Sequence, residues 1–282
     1  MSKLWKIYSL YYGKITVPKG VMTAGLDPDL MIDIPYTGFL LRNGEENVLV
    51  DAGIHQDNIK NGRAWGGYEA EGGNQYVLDA LAEHGLKPED IDSVMYTHLH
   101  NDHAGGLALF PHAKTYFMID EYRNLLDQVP GQRVRSDFDA RTPGDLKLLD
   151  GDKIYMLAGD VKLANGIEIY KTPGHTKGSM SIKVPTSEGN FIITGDIPHM
   201  NQCLFPKQTT MQLLSGEIVE ITPAPDSMIP DNTGQFIFNS VVYDHWEAFE
   251  SFYKLKSLAD EWDPKYFLTG HDPWVILKKQ WG

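Results

Sequence analysis

Cysteine is nearly absent from this sequence, since Cys203 is the only one in 282 residues. A single thiol excludes an intrachain disulfide and a cysteine-rich zinc site. It also favours a reducing compartment, and we predict a cytoplasmic protein. Long apolar runs are missing too, because no stretch approaches the ~20 apolar residues that a membrane span needs. Residues 1–20 alternate polar and apolar side chains, which predicts a first strand rather than a signal peptide and no membrane partner.

Positive charge is also scarce in this chain. Lys and Arg number 25 against 38 Asp and Glu, which gives a formal net charge of −13 at pH 7. Such a field repels nucleic acid, so we expect a small-molecule substrate and no nucleic-acid partner. The composition is otherwise that of an ordinary globular protein, with 42% hydrophobic and 22% charged residues, and the chain is long enough to bury a large core.

The apolar pattern mixes strands with helices and lacks the strict alternation of a Rossmann sheet. Residues 37–51 predict a β-hairpin with a polar turn at Gly44, and residues 54–75 predict a surface loop. Helical spacing predicts helices over residues 75–84, 119–126 and 244–261. Short apolar runs predict strands over residues 93–96, 114–119, 167–171, 179–184, 191–194 and 266–269.

No clear linker divides the sequence, so we predict a single domain over residues 1–282. A stretch rich in Pro and Met, residues 206–230, indicates an insertion or lid around residues 201–240. This segment could cap a site or support a homodimer. Apolar side chains before the first hairpin, in the loop 54–75 and after Asp196 are candidates for a substrate pocket or for ordinary core: Met22, Leu26, Met31, Ile32, Trp65, Tyr68, Met200, Leu204, Phe205, Met211 and Leu213.

Four metal-ligand residues occupy six positions directly after the predicted strand 93–96: His98, His100, Asp102 and His103. His98 and His100 are two apart, so their side chains point the same way in extended chain. Asp102 and His103 follow as the chain turns, and the loop can therefore aim two ligands at one metal and two at a neighbour. Imidazole with carboxylate suits Zn²⁺, with Fe, Mn or Co as alternatives. The alternative without a metal site is a surface loop that happens to be rich in histidine.

Three more predicted strands end on a residue that can bind a metal. His175 follows strand 167–171, Asp196 follows strand 191–194, and His271 follows strand 266–269; glycine precedes each of them. Glycine lets the backbone turn sharply or come close to a metal. One such strand end is a weak signal, but four in one chain indicate a metal centre.

Taken in order, the motifs HLHNDH (98–103), PGHT (173–176), TGD (194–196) and TGH (269–271) resemble the metallo-β-lactamase superfamily. The resemblance extends from about Phe39 to Pro273. It implies an α/β fold, a four-layer αβ/βα sandwich with two divalent metal ions at one edge. It also implies three groups of ligands: His98, His100 and His175 for one metal, Asp102, His103 and His271 for the second, and Asp196 as a bridge. Oxygen-reducing diiron relatives carry Glu in place of His100, which favours hydrolysis here.

Within the superfamily, the hairpin FLLRNGEENVLVDAG and the ending TGHDP resemble the N-acyl homoserine lactonase family of quorum-quenching enzymes. The resemblance implies that a metal-bridging hydroxide opens a small carbonyl substrate, a lactone such as an N-acyl homoserine lactone, while Asp102 orients the water or accepts a proton. Those lactonases carry Tyr three residues after the bridging Asp. His199 stands there in this chain, and we predict that it is catalytic and donates a hydrogen bond to the substrate; a solvated loop histidine is the alternative.

Other activities fit the same ligand set. A thioesterase, an esterase, an amidase or a β-lactamase of this superfamily would use the same metals, and a nuclease is disfavoured by the negative charge. A metal-binding interaction protein on this fold is the alternative outside catalysis. The complete ligand set argues against that alternative. Cys203 lies outside every motif and is expected to be a small buried residue rather than a nucleophile.

Overall fold

A computed structural model describes residues 3–228 and 236–282. The strands of the described chain are β1 (Lys6–Pro18), β2 (Met31–Arg42), β3 (Asn47–Val50), β4 (Arg63–Ala64), β5 (Tyr68–Gly72), β6 (Ser93–Met95), β7 (Lys114–Met118), β8 (Ile154–Leu157), β9 (Val161–Lys162), β10 (Glu168–Lys171), β11 (Met180–Thr186), β12 (Gly189–Gly195), β13 (Thr210–Gln212), β14 (Ile218–Glu220), β15 (Phe267–Thr269) and β16 (Gln280–Trp281). The α-helices are α1 (Lys19–Met22), α2 (Asn74–Glu83), α3 (Ile119–Leu126), α4 (Pro130–Arg135), α5 (Thr142–Asp145), α6 (Asn201–Leu204), α7 (His245–Leu258) and α8 (Pro273–Lys278).

Two sheets form the centre of the described chain. One has nine strands in the order β4-β5-β1-β2-β3-β6-β7-β8, with β16 added against β1. The other has five strands in the order β15-β12-β11-β10-β9, and β13 pairs separately with β14. The predicted hairpin is confirmed as β2 and β3, whose antiparallel register sets Phe39 opposite Val50.

Strand alternation divides the core into two layers. On β2, Phe39 and Leu41 join the cluster between the sheets, whereas Leu40 between them faces the opposite cluster. Val48 and Val50 of β3 alternate with Leu49 in the same way. This period of two is what a sheet covered on both faces requires.

Helices cover the outer face of each sheet. α2 and α3 pack their buried Val77, Leu81 and Leu125 on the nine-stranded sheet, and α7 packs Ala248 and Phe252 with the five-stranded sheet. The layers are helix, sheet, sheet and helix. The predicted four-layer α/β sandwich is therefore confirmed.

Residues 54–75 are not the simple surface loop that we expected. They form the short hairpin β4–β5, and β5 pairs antiparallel with β1 so that Gly13 lies opposite Gly72. A Cβ atom on Gly13 would meet the backbone oxygen of Glu71 at 2.0 Å. The segment therefore pairs with the edge of β1, although its Gly and Asn content alone is typical of a loop.

The last long helix begins where the sequence predicts and ends earlier. Asp244 caps α7, because its carboxylate accepts hydrogen bonds from the backbone N–H groups of Trp246 and Glu247. At the other end, Lys183 donates to the carbonyl oxygen of Leu258 over 2.8 Å, and Asp260 turns away to bind Asn190. These contacts stop the helix before the predicted boundary at residue 261.

The predicted insertion around residues 201–240 includes residues 229–235, which lie outside the described residues. Its described part contains α6 and the β13–β14 hairpin, and its contacts run to the segment after β1. Asp27 accepts hydrogen bonds from Thr222, and Lys19 donates to Gln202 over 2.6 Å. The single domain and its insertion or lid stay predictions. No helix in the described part of the chain has the length and apolar character of a membrane span.

Candidate metal centre

All seven predicted metal ligands come from chain segments that leave strands at one edge of the sandwich. β12 and β15 run parallel with Gly195 opposite Thr269, so Asp196 and His271 emerge side by side. The loop after β6 carries the HLHNDH motif toward the same edge, and the backbone of Thr97 accepts a hydrogen bond from Met180 N over 2.8 Å. This bond joins the two sheets beside the cluster.

Two glycines make the close approach of these loops feasible. Gly195 has φ +57°, and a Cβ atom there would lie 2.7 Å from Oγ1 of Thr97. A Cβ atom on Gly270 would lie 2.3 Å from Oδ1 of Asp196. The small residue that precedes each of these ligands therefore serves close packing of the strand ends, as the sequence predicted.

The first group of ligand atoms comes from His98, His100 and His175, whose candidate atoms lie within 4.8 Å of one another. Nε2 of His175 is 3.0 Å from Nδ1 of His100. All three side chains are buried. The geometry therefore forms a three-imidazole pocket for a cation.

The second group comes from Asp102, His103 and His271, again within 4.8 Å of one another. Asp196 lies between the two groups: its Oδ1 is 3.3 Å from Nε2 of His103, and its Oδ2 is 3.0 Å from Nε2 of His271 and 3.7 Å from Nε2 of His175. One carboxylate thus reaches both groups. The structure brings all seven predicted ligands together.

In three of the histidines, the ring nitrogen that faces away from the cluster, Nδ1, lies within hydrogen-bond distance of an acceptor outside the cluster. Nδ1 of His103 lies 2.8 Å from the carboxylate of Asp51, Nδ1 of His175 lies 2.7 Å from Val241 O, and Nδ1 of His271 lies 2.8 Å from Pro35 O. An acceptor at Nδ1 holds the N–H there and leaves the Nε2 lone pair free. This arrangement is typical of histidines that bind metals.

The cluster leaves buried polar atoms without hydrogen bonds. Among the described residues, no partner is found for Nε2 of His98, Nε2 of His103 or Oδ1 of Asp196. Such atoms cost free energy unless something else compensates for the lost water. A divalent metal ion would do so, because neutral imidazole and carboxylate are its usual ligands. The residues present therefore fit metal ions.

The charges of the cluster differ between its two halves. Burial lowers the pKa of His98, His100 and His175, which keeps these imidazoles neutral. Burial acts in the same direction on His103 and His271, but the nearby carboxylates, Asp196 foremost, outweigh it and raise the pKa of both. The group of Asp102, His103 and His271, with Asp196 beside it, thus attracts positive charge, as expected of a cation site.

Glu121 ties two of the ligand loops together. Its buried carboxylate, on α3, accepts hydrogen bonds from the backbone N–H groups of Leu99 and Gly178, each over 3.0 Å, and from the hydroxyl of Thr176 over 2.5 Å. Leu99 stands between His98 and His100, and Thr176 follows His175 directly. One side chain therefore sets the spacing of the three-imidazole group.

His199 also lies at the cluster. Its Nε2 is 3.5 Å from Oδ2 of Asp196, and its ring centroid is 4.9 Å from that of His175. The side chain is buried, which contradicts the alternative of a solvated loop histidine. Its Nδ1 has no hydrogen-bond partner among the described residues, unlike Nδ1 of His103, His175 and His271. This difference favours an N–H on Nε2, directed at the site.

A cavity of about 390 Å³ opens onto the cluster. The residues of the cluster that line it are His100, Asp102, His175, Asp196, His199 and His271. Of the apolar pocket candidates from the sequence, Met22 and Trp65 line it, whereas Met31 is exposed and Met200 belongs to the core. The volume lies within the range typical of small-molecule sites.

Sequence reasoning missed several residues of the site. Asp51 and Glu121, and the cavity-lining residues Tyr36 and Arg135, carry no motif of their own. Asp51 had a usable signal, because it ends an apolar strand just as Asp196 does. Glu121 had none, since its role depends on how α3 meets two distant loops.

A fold of two sheets between helices with a histidine and aspartate cluster at one edge defines a class of metal-binding α/β sandwich proteins. The family model described as the metallo-beta-lactamase superfamily matches residues 34–271. The chain belongs to this superfamily, as its motifs indicated.

Curated relatives match part of the chain. An N-acyl homoserine lactonase of Bacillus cereus is 28% identical over 124 residues, which cover 42% of this chain and 50% of that protein. The N-acyl homoserine lactonase AiiB of Agrobacterium fabrum is 32% identical over 98 residues, or 33% of this chain and 36% of that protein. The alignments thus span half or less of the length of these relatives.

Solved structures match over nearly the full chain. An N-acyl homoserine lactone hydrolase with the product N-hexanoyl-L-homoserine bound at its catalytic metal centre has a TM-score of 0.71, with 20% identity over 96% of this chain and 94% of that one. AidC, described as a dizinc quorum-quenching lactonase, has a TM-score of 0.66, with 20% identity over 97% and 90%. At this level of identity the likeness is one of fold.

Proposed function

We propose that this protein is a dinuclear metal-dependent hydrolase that opens a small carbonyl substrate, with a lactone such as an N-acyl homoserine lactone as the first candidate. The observation that carries the proposal is a set of buried ligand atoms without hydrogen-bond partners beside a cavity of about 390 Å³: Nε2 of His100 and Oδ1 of Asp196 belong to residues that line it. A ligand set that lines a cavity puts any bound metal within reach of a small substrate.

The two metals would take the ligands that the cluster groups together. His98, His100 and His175 would hold one ion, Asp102, His103 and His271 the other, and Asp196 would bridge them. Zinc suits this donor set best, with Fe, Mn or Co as alternatives. When bound, such ions activate water at neutral pH and polarise a carbonyl group.

Asp102 is the ligand best placed to act on water as well. Its side chain is 22% exposed, whereas that of Asp196 is only 3% exposed, and it lines the cavity beside His271. A carboxylate with one face toward the cavity can hold a water molecule in position and accept its proton. Asp196 also lines the cavity, but its side chain is almost fully enclosed by imidazoles and offers water less access.

His199, together with His175 and Asp196, also forms a group that could hold a metal ion, but the role that we propose for it is that of a hydrogen-bond donor. Burial lowers the pKa of this imidazole, so it remains neutral near neutral pH. A neutral imidazole with its proton on Nε2 can donate one hydrogen bond. The substrate carbonyl or leaving oxygen is the natural acceptor, since His199 lines the cavity that the substrate would enter.

The cavity walls support a substrate with an apolar part. Ile15, Val17, Met22, Ile34 and Trp65 line the cavity together with the ligands and with polar residues that include Lys60, Arg63 and Arg135. An acyl chain would bury apolar surface there, at about 25 cal/mol for each Å². The relatives' names describe lactones with an acyl chain. Such a lactone combines a carbonyl group for the metal centre with an apolar chain for these cavity walls.

We further propose that the chain is one domain with an insertion around residues 201–240, and that it works in the cytoplasm. None of the described residues 201–228 and 236–240 lines the cavity. This observation favours a supporting insertion, held through Asp27 and Lys19, over a lid. A homodimer is the assembly to test by light scattering.

Hydrolysis of a substrate panel by the zinc-loaded protein tests the proposal. The panel contains lactones, open-chain esters, thioesters and β-lactams of matched acyl length. We expect turnover of lactones to exceed that of the other classes, and Asp102→Asn to abolish most of it without unfolding the protein. Preference for a thioester or β-lactam would replace the lactone assignment. No hydrolysis of any member by fully metallated protein would refute the hydrolase.

A further inference from the structure

Tyr36 is a cavity residue that the proposed mechanism does not use. It lies on β2, on the same face as Ile32 and Ile34, and Ile34 and Tyr36 both line the cavity. Its side chain is 2% exposed. The same cavity is lined by Asp102, His199 and His271, so the phenol ring shares the space into which the metal ligands project.

The position of Tyr36 is fixed relative to the ligands. Pro35, its chain neighbour, accepts a hydrogen bond from Nδ1 of His271 through its backbone oxygen over 2.8 Å. A movement of β2 would therefore also shift a metal ligand. Tyr36 is thus held on a strand, which positions a side chain more accurately than a mobile loop.

The hydroxyl of Tyr36 makes no hydrogen bond to any residue that the structure describes, and unlike the hydroxyl of Tyr12 it is not among the fully enclosed polar atoms, which fits its place in the cavity lining. Burial, together with the nearby charge of Asp102, raises the pKa of this phenol well above its usual range. The group therefore keeps its proton near neutral pH. It is a donor without an acceptor, in the cavity where a substrate oxygen would lie.

We propose that Tyr36 is a catalytic residue whose hydroxyl donates a hydrogen bond to the acyl oxygen of the substrate as negative charge develops there. The inference rests on the proposed hydrolase function and names a residue that acts in it. A donor aimed at a developing oxyanion stabilises the transition state more than the ground state.

The proton of Tyr36 is not transferred in this step. The oxygen of water forms a bond to the acyl carbon, and the electron pair of the carbonyl double bond moves to the acyl oxygen, where Tyr36 binds it. The pair then returns, the bond between acyl carbon and leaving oxygen breaks, and the leaving oxygen takes the proton released by water. Tyr36 therefore needs no partner to restore its proton.

The substitution Tyr36→Phe removes the hydroxyl and keeps the ring. Steady-state kinetics should be measured on the substrate that the wild type hydrolyses fastest in the panel above. We expect kcat to fall roughly 10- to 300-fold, in the range found when one oxyanion donor is removed, with KM changed less than about threefold. Metal content and Tm should equal those of the wild type, because the hydroxyl binds no protein group.

Tyr12→Phe is the matched control. Tyr12 is also fully buried, and its hydroxyl also has no hydrogen-bond partner among the described residues, but it does not line the cavity. Its kcat and KM should match those of the wild type. The pair of variants thus separates loss of a buried hydroxyl in general from loss of one that faces the substrate.

A second measurement reads the same contact without turnover. N-hexanoyl-L-homoserine carries a carboxylate where the acyl oxygen becomes negative, so calorimetry should show it binding about tenfold more weakly to Tyr36→Phe.

Unchanged kcat and unchanged binding in this variant, beside an active wild type, would refute the role of Tyr36 and leave the proposed hydrolase function intact. A higher KM with unchanged kcat would make Tyr36 a substrate-binding residue and contradict the catalytic role. A wild type inactive on the whole panel would overturn both.

Discussion

The carboxylate of Asp51 lies 2.8 Å from Nδ1 of His103 and also accepts hydrogen bonds from the backbone N–H and the hydroxyl of Thr97. Asp51 follows β3, has φ +59°, and is buried. A residue other than glycine in this left-handed region commonly marks a functional position. Here the turn carries the carboxylate under the first ligand loop, where it orients one ligand and anchors the residue before another.

Asp51→Asn should therefore weaken metal binding without unfolding the chain. Asn tolerates the left-handed region as well as Asp does, but its amide cannot accept all three hydrogen bonds. We expect zinc affinity, measured by competition with a chromogenic chelator, to fall roughly 10- to 100-fold. Asp79→Asn, on the exposed face of α2, is the control and should bind as the wild type does. Equal affinity in both variants would show that Asp51 does not position His103.

Glu121→Gln should loosen the three-imidazole group. The amide keeps the size of the side chain but presents an N–H₂ group to one of the donors that the carboxylate accepts. We expect the free energy of unfolding to fall by about 1–3 kcal/mol, the cost of an unsatisfied buried polar group. Urea denaturation of the metal-free chain measures this loss, and the zinc affinity should fall with it. The control is Glu250→Gln at an exposed position on α7, which should change neither the free energy of unfolding nor the zinc affinity. If Glu121→Gln also changes neither, Glu121 does not hold the two ligand loops together.

The ligands were predictable from sequence because each one lies in a segment that leaves the end of an apolar strand. A strand end is a local pattern, and four such ends with His or Asp point to one edge of the fold. The parallel pairing of β12 with β15, which brings Asp196 beside His271, is a long-range contact that no local pattern encodes. The family resemblance supplied that part of the fold.

Residues whose role depends on tertiary contacts were not predictable in the same way. The helix that contains Glu121 was predicted correctly, but the carboxylate meets Leu99 and Gly178 only after α3 packs beside two loops. The hairpin β4–β5 was missed because its pairing depends on the edge of β1. Tyr36 looks like one more strand residue until the cavity beside it is known.

His199→Ala should lower kcat/KM for the best substrate by roughly 10- to 1000-fold, or about 1.4–4 kcal/mol, the scale of one transition-state hydrogen bond. Both metals should remain, because the variant keeps all seven residues of the proposed ligand set. His199→Tyr should keep more lactone activity than His199→Ala, since a phenol can also donate. The control is His84→Ala, which removes a ring packed on Tyr8 and outside the cavity.

Metal analysis of these variants decides between the two roles of His199. Loss of one ion in His199→Ala would make His199 a ligand and change the proposed ligand set. Equal lactone turnover by the wild type and by the Ala and Tyr variants would show that His199 takes no part in the reaction.

Cys203 should be unreactive in the folded protein. Its side chain is fully buried, its Sγ lies 3.3 Å from Met22 O, and burial raises the pKa of the thiol to about 12. Because the thiolate is the nucleophile, a pKa this far above pH 8 leaves almost none of it. Iodoacetamide should modify Cys203 at pH 8 only after the chain is unfolded in guanidinium. Rapid modification of the native protein, read by mass spectrometry, would contradict this burial.

The number of metal ions that support activity tests the central proposal most directly. Metal-free protein should be titrated with zinc while hydrolysis of the best panel substrate and bound zinc per chain are measured on the same samples. Seven ligand residues, with Asp196 between the three-imidazole group and the group of Asp102, His103 and His271, predict that activity rises until two ions are bound per chain and then stays constant. Full activity at one ion per chain, or saturation of binding at one, would contradict a dinuclear hydrolase.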